Sequence, residues 1–195
     1  SSVKISEYIA ECKSIGIAVL PPDLNESYDH FSVSEKGIRF GLAAVKNIGR
    51  GFIQRVVQER TENGLFSDLE DFCARMYGAD LNKRALENLI KCGACDCFGL
   101  HRSQMLQIYD TVLDSVANSR RKNVDGQMGL FESLAAQDET SIPAVRVPDV
   151  PELSRRDRMA MEKETTGLYL TGHPMDDYRA LLKNANTAPL GAILE

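Results

Sequence analysis

The sequence predicts a mostly α protein with a small N-terminal β-hairpin and a C-terminal helical extension, and three observations carry that prediction. Apolar residues recur at spacings of three and four in several separate stretches; strict alternation is confined to residues 31–40; glycines and cap-forming residues punctuate the helical stretches. At 195 residues the chain can bury one fair core or two small ones. No apolar run nears the roughly 18 residues of a membrane span. Ser1-Ser2 leads into a polar amphipathic stretch rather than a signal peptide's apolar region, so the expected setting is cytoplasmic, without a membrane. A start without Met reads as a piece of a longer protein with a vector remnant at its front.

In chain order, Ile5, Tyr8, Ile9, Cys12 and Ile15 share one helical face and Gly16 follows, which predicts a helix over 6–15 with a glycine stop. A short apolar run at 17–20 is halted by Pro21-Pro22-Asp23, and 25–30 is polar loop. Phe31-Ser32-Val33 and Ile38-Arg39-Phe40 alternate around Glu35-Lys36-Gly37 as a small hairpin. Farther on, Ser67-Asp68-Leu69-Glu70 has the form of a capping box before the stripe Leu69, Phe72, Cys73, Met76. Asn82 caps a helix that turns Ala85, Leu86, Leu89 and Ile90 inward. Residues 103–116 form the next helix, with Met105, Tyr109, Val112 and Val116 on its core face. Ser154 caps a helix running to about Thr166, and a last helix is expected over 175–182.

The stretch with the most to say about function is 41–60, a short helix running into Asn47-Ile48-Gly49-Arg50-Gly51 and a longer amphipathic helix leaving it. Gly49 and Gly51 are expected to permit a tight reversal with positive φ, and the amides opening the second helix are unpaired donors aimed outward, an arrangement suited to a phosphate. On local pattern alone the two glycines serve equally well as punctuation of a helix pair. Charge favours the phosphate: over 36–60 Lys36, Arg39, Lys46, Arg50, Arg55 and Arg60 stand against Glu59 alone, in a chain of net charge −5. These residues resemble the helix-hairpin-helix motif, a family that grips the nucleic-acid backbone through hairpin amides without reading bases. The resemblance implies Lys46, Asn47, Ile48, Gly49, Arg50 and Gly51 as DNA-binding residues, with Ile48 the buried hairpin residue and Asn47 standing where glycine is common; Asn also enters the left-handed region. A second, degenerate hairpin is read at 91–96, giving a tandem helix-hairpin-helix module in which Lys91 and Gly93 are candidate DNA contacts and a packing role is the competing reading.

Five cysteines, an odd number in helical contexts, argue for reduced thiols. Cys92, Cys95, Cys97 and His101 could be drawn as a zinc set, but they fall at a helix end where small buried residues are wanted, so no metal is expected. His30, His101 and His173 lack a partnered nucleophile and receive no catalytic role; the Gly-His-Pro setting of His173 suits capping of neighbouring backbone.

From 118 to 148 the helical pattern dissolves and a flexible linker is expected. In its middle stand Gln127, Met128, Gly129, Leu130 and Phe131, where an adjacent Leu-Phe pair has no periodic apolar neighbours. This pentapeptide is similar to the one by which bacterial polymerases and repair proteins bind the sliding clamp. The resemblance implies that Leu130 and Phe131 fill an apolar pocket while Gln127 fixes orientation; folding back onto the chain's own surface is the other reading.

A longer resemblance joins these parts. Tyr8 to Cys12, Gly16 to Ser27, Ile38 to Leu42, and Gly167-Leu168-Tyr169-Leu170-Thr171-Gly172-His173-Pro174 after Glu162-Lys163-Glu164 look like the alpha subunits of bacterial DNA polymerase III, the C-family replicative polymerases. It implies four regions: the end of the fingers and a hairpin (1–40), a tandem DNA-binding region (41–117), a linker with a clamp-binding motif (118–149), and a helical connector toward an OB-type barrel (150–195). It further implies duplex DNA, the sliding clamp and other replisome subunits as partners, and a parent that is a DNA-directed DNA polymerase using divalent magnesium. This stretch offers no aspartate set suited to a two-metal palm, so it is expected to be inactive alone and to hold no cofactor. A bare DNA-binding module of a repair or recombination protein, and a purely structural spacer, remain alternatives.

Overall fold

The computed structural model describes residues 2–79, 81–124 and 145–178. Its elements are α1 (Ser2–Ser14), β1 (Val19–Leu20), β2 (Ser32–Ser34), β3 (Gly37–Arg39), α2 (Arg50–Asn63), α3 (Leu69–Arg75), α4 (Lys83–Lys91), α5 (Arg102–Val124) and α6 (Arg155–Thr166). Short 3-10 turns occupy Leu42–Ala44, Asp96–Phe98 and Asp176–Tyr178. The chain is thus mostly α with a small N-terminal sheet, as its periodicity predicts.

The sheet has one more strand than expected. β3 lies between β2, its antiparallel hairpin partner with Val33 opposite Ile38, and β1, which pairs parallel with Val19 opposite Ile38. The apolar run before Pro21 is therefore an edge strand. The predicted short helix after Gly41 is a single 3-10 turn, closed by Val45 N on Leu42 O, with the leading amides of Leu42 and Ala43 donating to Tyr28 O and Asp29 O.

One core joins α2 to α5. Phe52, Ile53 and Val56 of α2 meet Phe72, then Leu86, Leu89 and Ile90 of α4, and Met105, Val112 and Val116 of α5. Phe72 meets Phe66 edge-on, with ring centroids 5.0 Å apart. A smaller cluster of Phe40, Leu168 and Leu170 takes Ile5 and Ile9 of α1 on its flank, so the segment after α6 returns to the N-terminal helix.

Caps decide several boundaries. Asn82 accepts from the Ala85 amide and Ser154 from that of Asp157, as expected. The cap of α3 falls one residue later than the Ser-x-x-Glu pattern suggests: Asp68 accepts from Asp71 N, and Asp71 reaches back to Ser67 N. Glu70 is released to accept from Val145 N at 2.8 Å. The helix predicted to end at Val116 runs on to Val124, into the stretch expected as linker. The later part of that expected stretch, 145–151, lies along the start of α5: Gln104 donates to Pro148 O and Ser103 to Pro151 O. Glu152 caps α5 by accepting from the amides of Arg102 and Ser103. Burial alone would raise the Glu152 carboxyl, but these amides and that of Leu153 bring it below its ordinary value.

Candidate nucleic-acid interface

The reversal between the 3-10 turn and α2 is built differently from the sequence expectation. Asn47 has φ 63° and is the one non-glycine residue with positive φ among those described. Gly49, expected in that region, is extended at φ −78°, ψ 148° and forms the N-cap, while Gly51 sits in the first turn of α2. Asn supplies the left-handed residue, so neither glycine is needed for the turn. A Cβ at Gly49 or Gly51 would meet nothing within 4 Å, so packing within this chain does not demand glycine either. Glycine inside a first helical turn costs up to about 1 kcal/mol relative to alanine. What these missing side chains leave clear is backbone approach from outside.

The amides at this helix start are unspent. No side chain caps Gly49, and among the described residues no hydrogen bond runs from the amides of Gly49, Arg50 or Gly51. All three residues are exposed, as is Asn47, whereas Ile48 is half-buried against the main core. The turn is thereby anchored by one apolar side chain and presents a fan of donors at the positive end of the helix dipole.

Lys46, immediately before the turn, is held at three atoms. Its amide donates to Thr165 O at 2.9 Å, and its ammonium to Glu164 O at 2.7 Å, both carbonyls lying in the last turn of α6. Its carbonyl accepts from Asn88 Nδ2 at 2.7 Å. Asn88 is a buried polar residue on α4, a role the sequence reading missed although an amide among Leu86, Leu89 and Ile90 was a visible irregularity.

The six basic residues of 36–60 do not form one face. Arg39 bonds Pro21 O and the Glu26 carboxylate, and Arg60 is buried with its guanidinium on Leu24 O and over the Tyr28 ring. Burial lowers the Arg60 pKa from its ordinary value. Arg55 donates to Gly78 O. Arg50 and Lys36 have no such partner among the described residues.

The second hairpin is closed. Gly93 is buried at φ 87°, its amide donates to Ile90 O, and a Cβ there would meet Arg102 Nη2 at 2.2 Å. Arg102, itself fully buried, binds Asp96 at 2.8 Å, Glu162 at 3.2 Å and Lys91 O at 3.2 Å. Burial would lower the Arg102 pKa, but the two carboxylates outweigh it and hold the group above its ordinary value. Lys91 pairs with Glu87 at 2.9 Å and Glu164 at 3.2 Å, and the Glu87 bond foremost raises its pKa. Around Lys91 and Gly93, candidate DNA contacts with packing as the competing reading, the glycine lies beneath a guanidinium and the ammonium is paired with two carboxylates.

Gln127, Met128, Gly129, Leu130 and Phe131 lie outside the described residues, as does the second half of the helix expected over 175–182, whose described half holds the 3-10 turn Asp176–Tyr178. Cys73, Cys92 and Cys95 are buried and belong to the core. Among the described residues no group of His, Cys, Asp and Glu has an arrangement that could hold a metal. His101 Nδ1 faces Val150 O, and His173 Nδ1 accepts from Met175 N. No described helix is long and apolar enough to cross a membrane.

Residues 16–105, which contain both hairpins, match the helix-hairpin-helix motif family. The chain is 39% identical over 177 residues, 90% of its length, to the DNA polymerase III subunit alpha of Vibrio cholerae. It is 35% identical over 188 residues, 96% of its length, to that of Chlamydia pneumoniae, and 35% identical over 185 residues, 95% of its length, to that of Deinococcus radiodurans. It spans 14–15% of the length of these relatives. Along nearly its whole length, then, the chain is homologous to one segment of DNA polymerase III alpha subunits, a segment that carries a helix-hairpin-helix motif.

Proposed function

We propose that this chain is the DNA-holding segment of a replicative DNA polymerase III alpha subunit, and that its first hairpin binds the backbone of duplex DNA. The observation that carries this reading is the pair Gly49 and Gly51, exposed glycines that neither turn geometry nor packing requires, set among unspent amides. A phosphate is received by the amides of Gly49, Arg50 and Gly51 with the Arg50 guanidinium beside it; Asn47 shapes the turn and Ile48 anchors it. Such contacts are blind to sequence, which suits an enzyme that must hold any duplex. The test is the salt dependence of duplex binding. Log affinity should fall by about 0.9 per phosphate contact against log salt, and Arg50→Gln should flatten the slope by about that amount. An unchanged slope removes the hairpin from the DNA.

The parent chain is proposed to be a DNA-directed DNA polymerase in the cytoplasm, working with other replisome subunits. The magnesium such an enzyme uses finds no fitting donor set among the described residues, and Asp176 and Asp177 are engaged by Arg155, so no metal-dependent step is ascribed here. Gln127 to Phe131 are proposed to bind the sliding clamp. Two weak attachments on one chain raise effective concentration, which is a physical route to processivity. Equilibrium binding to the clamp of the same organism, compared with a variant in which Leu130 and Phe131 are both alanine, tests this directly; equal binding by both proteins excludes the motif.

A spacer reading has one observation in its favour: Arg39, Arg60 and Lys91 are spent inside the molecule. It predicts no duplex binding at low salt.

A further inference from the structure

The geometry around Lys46 points to a strut that aims the first hairpin, and we propose that Lys46 is the pin of this strut and not a ligand of DNA. The inference rests on the DNA-holding role of the hairpin. A lysine one residue before a phosphate-binding turn is the obvious second cation for that phosphate, and the sequence reading assigns it so. The structure gives each of its polar groups another task. Its amide and ammonium meet the carbonyls of Thr165 and Glu164, and its carbonyl meets Asn88.

Both acceptors on α6 belong to its last turn, where carbonyls lack intrahelical partners and the dipole is negative, so a cation is favoured there. Glu164 is also bound by Lys91 at 3.2 Å, which fixes the same end of α6 to α4. Asn88 is 7% exposed, so its amide cannot turn to water if the Lys46 carbonyl moves away. Asn47, the left-handed residue, follows at once, and its orientation is inherited from the peptide that Asn88 and Thr165 hold. The hairpin is therefore positioned from two sides, by a helix 42 residues later in sequence and by another about 118 residues later. A helix beyond the linker thus sets the aim of the DNA-contacting turn.

The experiment compares Lys46→Gln, Asn88→Ala and Arg50→Gln in the 195-residue chain, titrating a duplex oligonucleotide over a range of salt. Arg50→Gln should reduce the slope of log affinity against log salt by about 0.9. Lys46→Gln should weaken binding about two- to tenfold, through loss of the one ammonium bond to Glu164 O, with the slope unchanged. In Asn88→Ala, hydrogen exchange at the Lys46 amide should quicken about tenfold while the α5 core amides keep their protection. That readout needs no DNA and remains informative if the hairpin does not bind. A slope reduced by Lys46→Gln as much as by Arg50→Gln makes Lys46 a phosphate ligand and overturns the proposal. Unchanged affinity in Lys46→Gln, or unchanged exchange in Asn88→Ala, overturns it as well. If Arg50→Gln leaves the slope intact, the DNA-holding role fails, and the strut's part in binding falls with it.

Discussion

Replacing Glu162 by alanine should unfold the joint between α6 and the second hairpin more than any other single carboxylate change. Glu162 is fully buried and bonds Arg102 Nη1 at 3.2 Å, Leu170 N at 3.1 Å, Thr171 N at 3.0 Å and Thr171 Oγ1 at 3.0 Å. Removing one member of a buried pair strands the other, at a cost of about 3–5 kcal/mol. Asp96 still holds Arg102 from its outer side, which puts the expected loss near the lower limit, about 3 kcal/mol. For a chain of this size that corresponds to a Tm lower by roughly 6–12 °C. Urea unfolding followed by far-UV circular dichroism measures it, with m held constant. Glu162→Gln should lose less, because its amide oxygen still accepts from the Leu170 and Thr171 amides. Arg102→Met with Glu162→Leu should lose less than Glu162→Ala, since no ion is left unpaired. A loss below about 1 kcal/mol in Glu162→Ala, the range of an exposed pair, would refute the reasoning.

The glycines make a paired prediction: Gly93→Ala should destabilise by about 1–3 kcal/mol through its φ of 87° and the Arg102 clash. Gly51→Ala should be neutral or stabilising by up to about 1 kcal/mol yet weaken duplex binding, and urea midpoints set beside DNA titrations separate the two. Asn82→Ala should cost about 1 kcal/mol as α4 loses its cap, again read from the urea midpoint. Burial pushes the Cys73 and Cys92 thiols up from an ordinary 9.0 to about 12. Because the folded state binds those protons more tightly, the stability they contribute is complete below the ordinary value and lost as pH rises from 9.0 toward about 12, so the urea midpoint should fall across that window.

What could be read from the sequence were the features that depend on local periodicity and local chemistry. The stripes of α4 and α5 and the Asn82 and Ser154 caps follow from residues within a few positions of one another, whereas the anchoring Ile48 came from the resemblance to a known motif. The pairing of β1 with β3 did not follow, because Val19 and Ile38 are brought together only by the loop between them. Nor could charge counting separate outward cations from internal ones: Arg39 and Arg60 are as basic as Arg50, and only burial beside Pro21, Leu24 and Glu26 reveals that they are structural. The extension of α5 to Val124 came from tertiary support, such as Arg120 on Ala74 O, where composition pointed to a linker. At this turn the sequence reading expected positive φ of Gly49 and Gly51 and allowed it at Asn47; only Asn47 adopts it.

The two hairpins differ in what each presents to a phosphate. The first is left through a helix N-terminus, with uncapped amides, a positive dipole end and an uncommitted Arg50. The second is entered from a helix C-terminus, and the carbonyl of Lys91 at that end is met by the Arg102 guanidinium. A cation is the proper occupant of such an end, and Asp96 and Glu162 balance it inside the fold. A phosphate brought there would have to displace both carboxylates from Arg102 and force Gly93 out of its buried turn. Its gain in charge would be offset by two stranded acids. The polar groups around the second hairpin are thus mutually paired, and its Glu162 contact fixes α6 within one turn of the carbonyls that hold Lys46. The closed hairpin keeps α6 seated, and the seated helix keeps the open hairpin facing outward.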